Sequence, residues 1–170
     1  MPKPYSAVGL IPTVRGVRKR SEIQRNLDHL AHLIAAASWL SSLDLPVRLV
    51  MLPEGALQGF TDEVFDLDHV TYAKECAIDV PGAETRFLGD LAKHWNVYVM
   101  AQAKTRHEKF PDRFFNVGFA IDPRGRFLLS AGLNSHHMTV YAIRPDGALD
   151  PVKRHAMGKQ PNWIEFADLR

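Results

Sequence analysis

Apolar and polar positions along this chain follow two different periods, and the change between them marks its organisation. Ala7–Ile11 is a short apolar run that reads as a buried strand ended by Pro12. From Ser21 onward the period lengthens. Ile23, Leu27, Leu30, Leu33/Ile34 and Ala37 recur at three-to-four spacing and give a helix one apolar face. Ser21 is placed to cap that helix, and Gln24 three residues later completes a capping box. The helix is expected to end near Ser42–Asp44, ahead of Pro46. Val47–Leu52 is apolar, rich in β-branched residues and of strand length; Pro53 cannot donate to a sheet ladder and stops it. Strand, helix and strand together predict a βαβ unit with parallel strands.

A second helix–strand pair follows. The acidic stretch Asp62–Asp68 reads as loop or short helix, and Pro81-Gly82 as a break. Ala83–Trp95 places Phe87, Leu88, Leu91, Ala92 and Trp95 on one helix face, and Val97–Ala103 is the next strand. Lys104–Asp112 reads as a charged loop, then Phe114–Ile121 as a strand with Asn116 near its start. Asp122-Pro123-Arg124-Gly125 has the residues of a tight turn, with Pro second and Gly last, so Phe127–Ser130 closes a hairpin. Beyond it no useful helical period remains. Met138–Ile143, a second turn at Arg144–Gly147, and short runs at Leu149–Arg154 and Trp163–Phe166 predict an antiparallel meander. The fold class expected is α/β: helices near 21–43 and 83–95 on one face of a sheet, followed by the meander.

Composition narrows the function classes. With 170 residues the chain has room for one domain or two small ones, and a domain near this size buries about 68–70% of its unfolded surface. Hydrophobic content of 46% and charged content of 24% describe a soluble globular chain. A net charge of +2 is too small to argue for nucleic acid, and the basic residues Arg15, Arg18, Lys19 and Arg20 read as a solvated loop before a helix. One cysteine makes no internal disulfide, which fits a reducing compartment. No apolar run approaches the ~20 residues that span a bilayer, and the opening Met-Pro-Lys-Pro-Tyr lacks the apolar core of a leader peptide. These features predict a cytoplasmic protein with no membrane partner.

The stretch Val-Arg-Leu-Val-Met-Leu-Pro-Glu-Gly-Ala-Leu-Gln-Gly-Phe, Val47–Phe60, carries a resemblance. A strand followed by Pro-Glu, small residues and Gly-Phe resembles the catalytic-glutamate motif of the nitrilase (carbon–nitrogen hydrolase) superfamily. Pro-Gly-x-Glu-Thr before the second helix and Asn-Val-Tyr-Val after it fit the same pattern, over roughly residues 5–122. The resemblance implies hydrolysis of a non-peptide amide or nitrile C–N bond by a Glu, a Lys and a Cys, with Glu54 as general base and a small amide or nitrile as substrate. It also implies a catalytic Lys just after the Asp122–Gly125 hairpin and a nucleophilic Cys later still. Arg126–Met138 contains no Lys, and no Cys follows Cys76. Residues 124–170 are instead similar to the last blade of lactonase-family β-propellers of the 6-phosphogluconolactonase type, most visibly at Ser135-His136-His137 and Gly158-x-x-Pro161-x-Trp163. A propeller needs several blades to close. The expected division is therefore a partial hydrolase-like α/β domain over 1–122 and a lactonase-blade-like β segment over 123–170, with the seam within Asn116–Phe127.

Each candidate residue has a plain structural alternative. Glu54 can also be an ordinary loop carboxylate. Cys76 lies upstream of where the family places its nucleophile and reads as a small buried hydrophobe. Lys104 lies before the hairpin and is rejected as the catalytic Lys. His29 and His32, three apart on a helix, and the adjacent His136-His137 lack the three or four convergent ligands a metal needs, so no metal or cofactor is expected. Three function classes stay open: a carbon–nitrogen hydrolase relative, a lactonase relative, and a truncated or chimeric, inactive domain that self-associates.

Overall fold

The apolar face of the first long helix organises the layer. A computed structural model describes residues 3–61, 64, 66–132, 136–145 and 148–159. Its elements are β1 (Ser6–Gly9), α1 (Ile23–Ser41), β2 (Val47–Met51), α2 (His69–Glu75), α3 (Ala83–Trp95), β3 (Tyr98–Arg106), β4 (Phe114–Ile121), β5 (Phe127–Gly132), β6 (His137–Ile143) and β7 (Leu149–Ala156). On α1 the side chains of Ile23, Leu27, Leu30 and Ile34 are buried, as the three-to-four spacing predicts. They meet Leu88 and Ala92 of α3 and the sheet beneath in a single core.

The seven strands form one sheet in sequence order. β1 and β2 are parallel, as the βαβ reading predicts, and so are β2 and β3. Every later pair is antiparallel, giving the meander. Pairing register sorts side chains onto two faces, because neighbours alternate along a strand. Val50, Val99, Ile121, Leu128 and Tyr141 are successive partners across β2 to β6 and join the helix-covered core. Met51, Met100, Ala120, Leu129 and Val140 form the row beside them, on the opposite face. Of that second row only Ala120 is fully buried; Met51, Met100, Leu129 and Val140 remain partly open.

The β4–β5 hairpin turns at Asp122–Gly125 as expected. Gly125 donates its N–H to the Asp122 carbonyl at 2.8 Å and takes a φ of +65°, which glycine adopts without strain. The buried Asp122 carboxylate accepts from the Arg124 N–H and from Arg126 Nε. The sheet runs continuously through this turn into β6 and β7.

Four expectations are corrected. β1 stops at Gly9 rather than Ile11 and is a half-open edge strand, not a buried one; Ile11 is 96% exposed. No capping box forms at Ser21. A 3-10 turn over Arg20–Glu22 precedes α1, and the Glu22 carboxylate accepts the Arg18 N–H, while Gln24 bonds to Asp28. α2 was not anticipated; Asp68 caps it by accepting from the Val70 and Thr71 N–H groups. The Thr71 hydroxyl, which donates to Asp68 Oδ2 at 2.6 Å, together with those N–H groups holds the Asp68 carboxyl below its ordinary pKa. Finally, Lys104–Arg106 are not loop but the end of β3, paired with β4 out to Arg106–Phe114. The short runs at Trp163–Phe166 and the Pro161 and Ser135 positions lie outside the described residues. Among the described residues no helix is long and apolar enough to cross a membrane.

Leu30 sits at 0% exposure between α3 and the sheet. Leu30→Ala is expected to cost about 2–5 kcal/mol, read as a lowered urea midpoint with an unchanged slope.

Candidate functional site at the end of the second strand

The segment after β2 is held by backbone and side-chain bonds on every side. Leu52 donates the last ladder bond, to Met100 O at 2.8 Å, and Pro53 ends the strand. The chain then coils: Ala56 N–H donates to Pro53 O and Gly59 N–H to Gly55 O at 2.7 Å. Gly55 has a φ of +78°, and a Cβ there would stand 3.0 Å from the Phe60 ring. Glycine is therefore required by both conformation and space.

Gln58 fixes the coil to the core. Its side chain is 2% exposed. Its Nε2 donates to Cys76 O and Lys104 O, and its Oε1 accepts the Lys104 N–H at 2.7 Å. Asn26 of α1 donates to Leu57 O at 2.8 Å and to Arg15 O. Lys104, buried in β3, donates its Nζ to Gly59 O at 2.6 Å and lies 5.6 Å from the Phe60 ring centre. Lys104 is thus part of the frame beneath the turn rather than a residue following the strand.

Glu54 emerges from this frame into solvent at the carboxyl end of β2. Open α/β sheets place ligands at such ends. Asn116 of β4 brings its Nδ2 to 3.5 Å from Glu54 Oε1. Gln102 of β3 donates Nε2 to Asn116 Oδ1 at 3.0 Å and accepts the Gly55 N–H at 3.3 Å. The sequence places Asn116 near a strand start and assigns no role to Gln102 or Gln58. The signal for Gln102 was the alternation Met100, Gln102, Lys104 against Val99, Ala101, Ala103, which puts polar groups on one face of an apolar strand.

The other candidates lie apart from Glu54 in function. Cys76 is fully buried at the end of α2, and its thiol donates to Val17 O. Burial pushes that thiol up to about 11, with the Glu22 and Glu75 charges adding and Arg20 opposing. A thiol that keeps its proton is a poor nucleophile. On α1, His29 Nε2 accepts the Thr13 N–H. His136 has a left-handed backbone at the entry to β6 and His137 begins that strand. Among the described residues no group of three or more His, Cys, Asp or Glu is arranged to hold a metal ion. A shallow cleft at Lys74, Asp79, Arg106 and Pro111 has its cations paired, Arg106 to Asp79 and Lys74 to Asp112.

The carbon-nitrogen hydrolase family model matches residues 7–159. The chain therefore belongs to the carbon–nitrogen hydrolase family, and the match takes in β1 to β7. Short stretches are also similar to 6-phosphogluconolactonases. That of Sodalis glossinidius (strain morsitans) is 56% identical over 48 residues, 28% of this chain and 14% of that protein. That of Erwinia tasmaniensis is 48% identical over 53 residues, 31% of this chain and 16% of that protein. These matches fall in the C-terminal region, and the chain spans under a fifth of those relatives. Among solved structures, Saccharomyces cerevisiae Nit3, a member of branch 10 of the nitrilase superfamily, aligns with a TM-score of 0.49 and 20% identity, over 69% of this chain and 40% of Nit3. An amidase from Nesterenkonia sp. aligns with a TM-score of 0.46 and 13% identity, over 82% of this chain and 46% of the amidase. Family membership rests on the family model, not on these likenesses of shape.

Two outcomes are expected from this frame. Gln58→Leu removes the partner of the Lys104 N–H and of the Cys76 carbonyl in the interior, while Lys104 O keeps the Ile78 N–H. At about 1–3 kcal/mol for a buried group left unmade, it should lower the unfolding free energy by at least ~2 kcal/mol in urea titration. For Cys76 the folded pKa, about 11, lies above the ordinary 9.0. Its contribution to stability is therefore complete below pH 9.0 and lost as pH rises towards about 11. Wild type should lose stability over that interval more steeply than Cys76→Ala.

Proposed function

We propose that this chain carries the general-base element of a carbon–nitrogen hydrolase at Glu54 and does not by itself turn over an amide or nitrile. The observation that carries the reading is the pairing of an exposed Glu54 at a strand's carboxyl end with a Cys76 thiol sealed in the core. Covalent hydrolysis of an amide by this family's chemistry needs three parts. A thiolate adds to the carbonyl carbon, a base removes the thiol proton, and a cation or donor set stabilises the oxyanion. The amine then leaves with a proton, and water releases the acid from the thioester. In this reading Glu54 supplies the base, Cys76 stays protonated behind α2, and Lys104 spends its charge on Gly59 O and Phe60.

The reading extends to a truncated or chimeric chain, with a hydrolase part over 1–122 and a lactonase-like part over 123–170, in a reducing cytoplasm. Lactone hydrolysis is the second reading, favoured by 56% identity over 48 residues to a 6-phosphogluconolactonase. Self-association is part of the proposal, because the row Met51, Met100, Leu129 and Val140 is partly open and apolar surface of this kind is a contact surface.

The test is hydrolysis of a panel of short amides, nitriles and a phosphogluconolactone, with Glu54→Gln and Cys76→Ala in parallel. No turnover above background is expected. Amide turnover lost in Glu54→Gln or in Cys76→Ala would overturn the inactive reading, and lactone turnover would favour the second. Light scattering at tens of micromolar should show a species larger than one chain; a clean monomer counts against association.

A further inference from the structure

We infer that Gln102 and Asn116 are positioning residues for Glu54, two side-chain amides forming a one-way hydrogen-bond relay from the Gly55 N–H to the Glu54 carboxylate. The inference rests on the reading of Glu54 as a base. The two ends of the relay fix its direction. A backbone N–H can only donate, so Gln102 must present Oε1 to Gly55, at 3.3 Å. Its Nε2 then faces Asn116, which must accept through Oδ1, at 3.0 Å. That leaves Asn116 Nδ2 for Glu54 Oε1, at 3.5 Å, and an ionised carboxylate only accepts. One assignment of the two amides satisfies all three links. Turning Gln102 over sets donor against donor at Gly55 and acceptor against acceptor at Asn116. Turning Asn116 over points a carbonyl at the carboxylate.

The strands make the relay possible. Gln102 lies opposite Gly118, and Asn116 lies opposite Lys104, so Gln102 and Asn116 are diagonal neighbours across β3 and β4. Gly118 has no side chain to fill the space between them. Glu54 and Gly55 are adjacent in sequence, so the relay leaves the turn at one residue and returns to the one before it. A glutamate on a turn otherwise has three free torsions; here two amides seated on paired strands choose its position. The donor they deliver meets the ionised form, which is the form a base must start from.

The experiment is solution NMR on the full chain labelled with 15N, with the Asn116 side-chain amide assigned from its loss in Asn116→Ser. Glu54→Gln should move the Asn116 amide resonances. Gln102→Glu keeps an acceptor for Gly55 but offers Asn116 no donor, so Asn116 turns its Nδ2 away from Glu54. In that background Glu54→Gln should no longer move the Asn116 amide, while hydrogen exchange at Gly55 stays slow. Gln102→Ala removes both links. It should speed Gly55 exchange about two- to tenfold, the factor a net hydrogen bond contributes, and it answers the question where Gln102→Glu disturbs the sheet. An Asn116 amide indifferent to Glu54→Gln, or still responsive to it in Gln102→Glu, would overturn the relay. These readouts do not involve turnover. Amide hydrolysis that ignores Glu54→Gln strikes the base reading alone.

Discussion

One buried side-chain amide holds the site together. Gln58 stands in the interior with its donors on Cys76 O and Lys104 O and its acceptor on the Lys104 N–H. It thereby joins the turn after β2, the end of α2 and the end of β3 in one set of bonds. Beyond the Ile78–Thr105 bridge, Gln58 supplies the bonds of the Lys104 N–H and Cys76 O, and burying these groups unbonded would be costly. The polar side chain solves the same problem that a further strand would solve. Everything at the rim follows from it: the coil of Gly55–Gly59, the Lys104 ammonium over Phe60, and the angle at which Glu54 leaves the turn.

The division between frame and chemistry is sharp. The frame beneath Glu54 is dry and bonded, whereas Glu54 itself is open to water. The thiol that shares the frame, Cys76, is directed at Val17 O and kept protonated by burial. A base activates a nucleophile only when it reaches that nucleophile's proton. Here the fold sends one outward and seals the other inward.

Much of the architecture was legible because apolar period and chain breaks agree. α3 begins and ends where Pro81-Gly82 and the Phe87–Trp95 face place it, and the Asp122–Gly125 turn forms with its expected bond. The misreadings have a common physical source: a polar residue was taken as a mark of solvent. Lys104 and Thr105 are buried in β3 although their charge and polarity suggested loop. Gln58 lies in the Val47–Phe60 stretch, where no apolar period marks it as a core residue. Asp68 was counted with an acidic stretch, although its position before Val70 and Thr71 is that of a helix cap. Position of Glu54 was readable from the strand and proline before it. Its partners were not, because Gln102 and Asn116 meet only through the register of β3 and β4, and register is a property of pairing rather than of either strand alone.

The outer edge of β7 has a consequence for how copies of this chain can meet. Pro151 lies within that strand and offers no N–H, a bulge at Val140/Tyr141 interrupts its regular pairing, and Asp150, Lys153 and Arg154 are exposed along it. An eighth strand from another molecule would find a gap in the donors and a row of charges. At the other edge β1 is four residues long, too short to template much. Lateral growth of the sheet is thus obstructed at both ends. The proposed self-association would therefore use the flat side of the layer, where a self-complementary contact closes on itself instead of running on into a fibre.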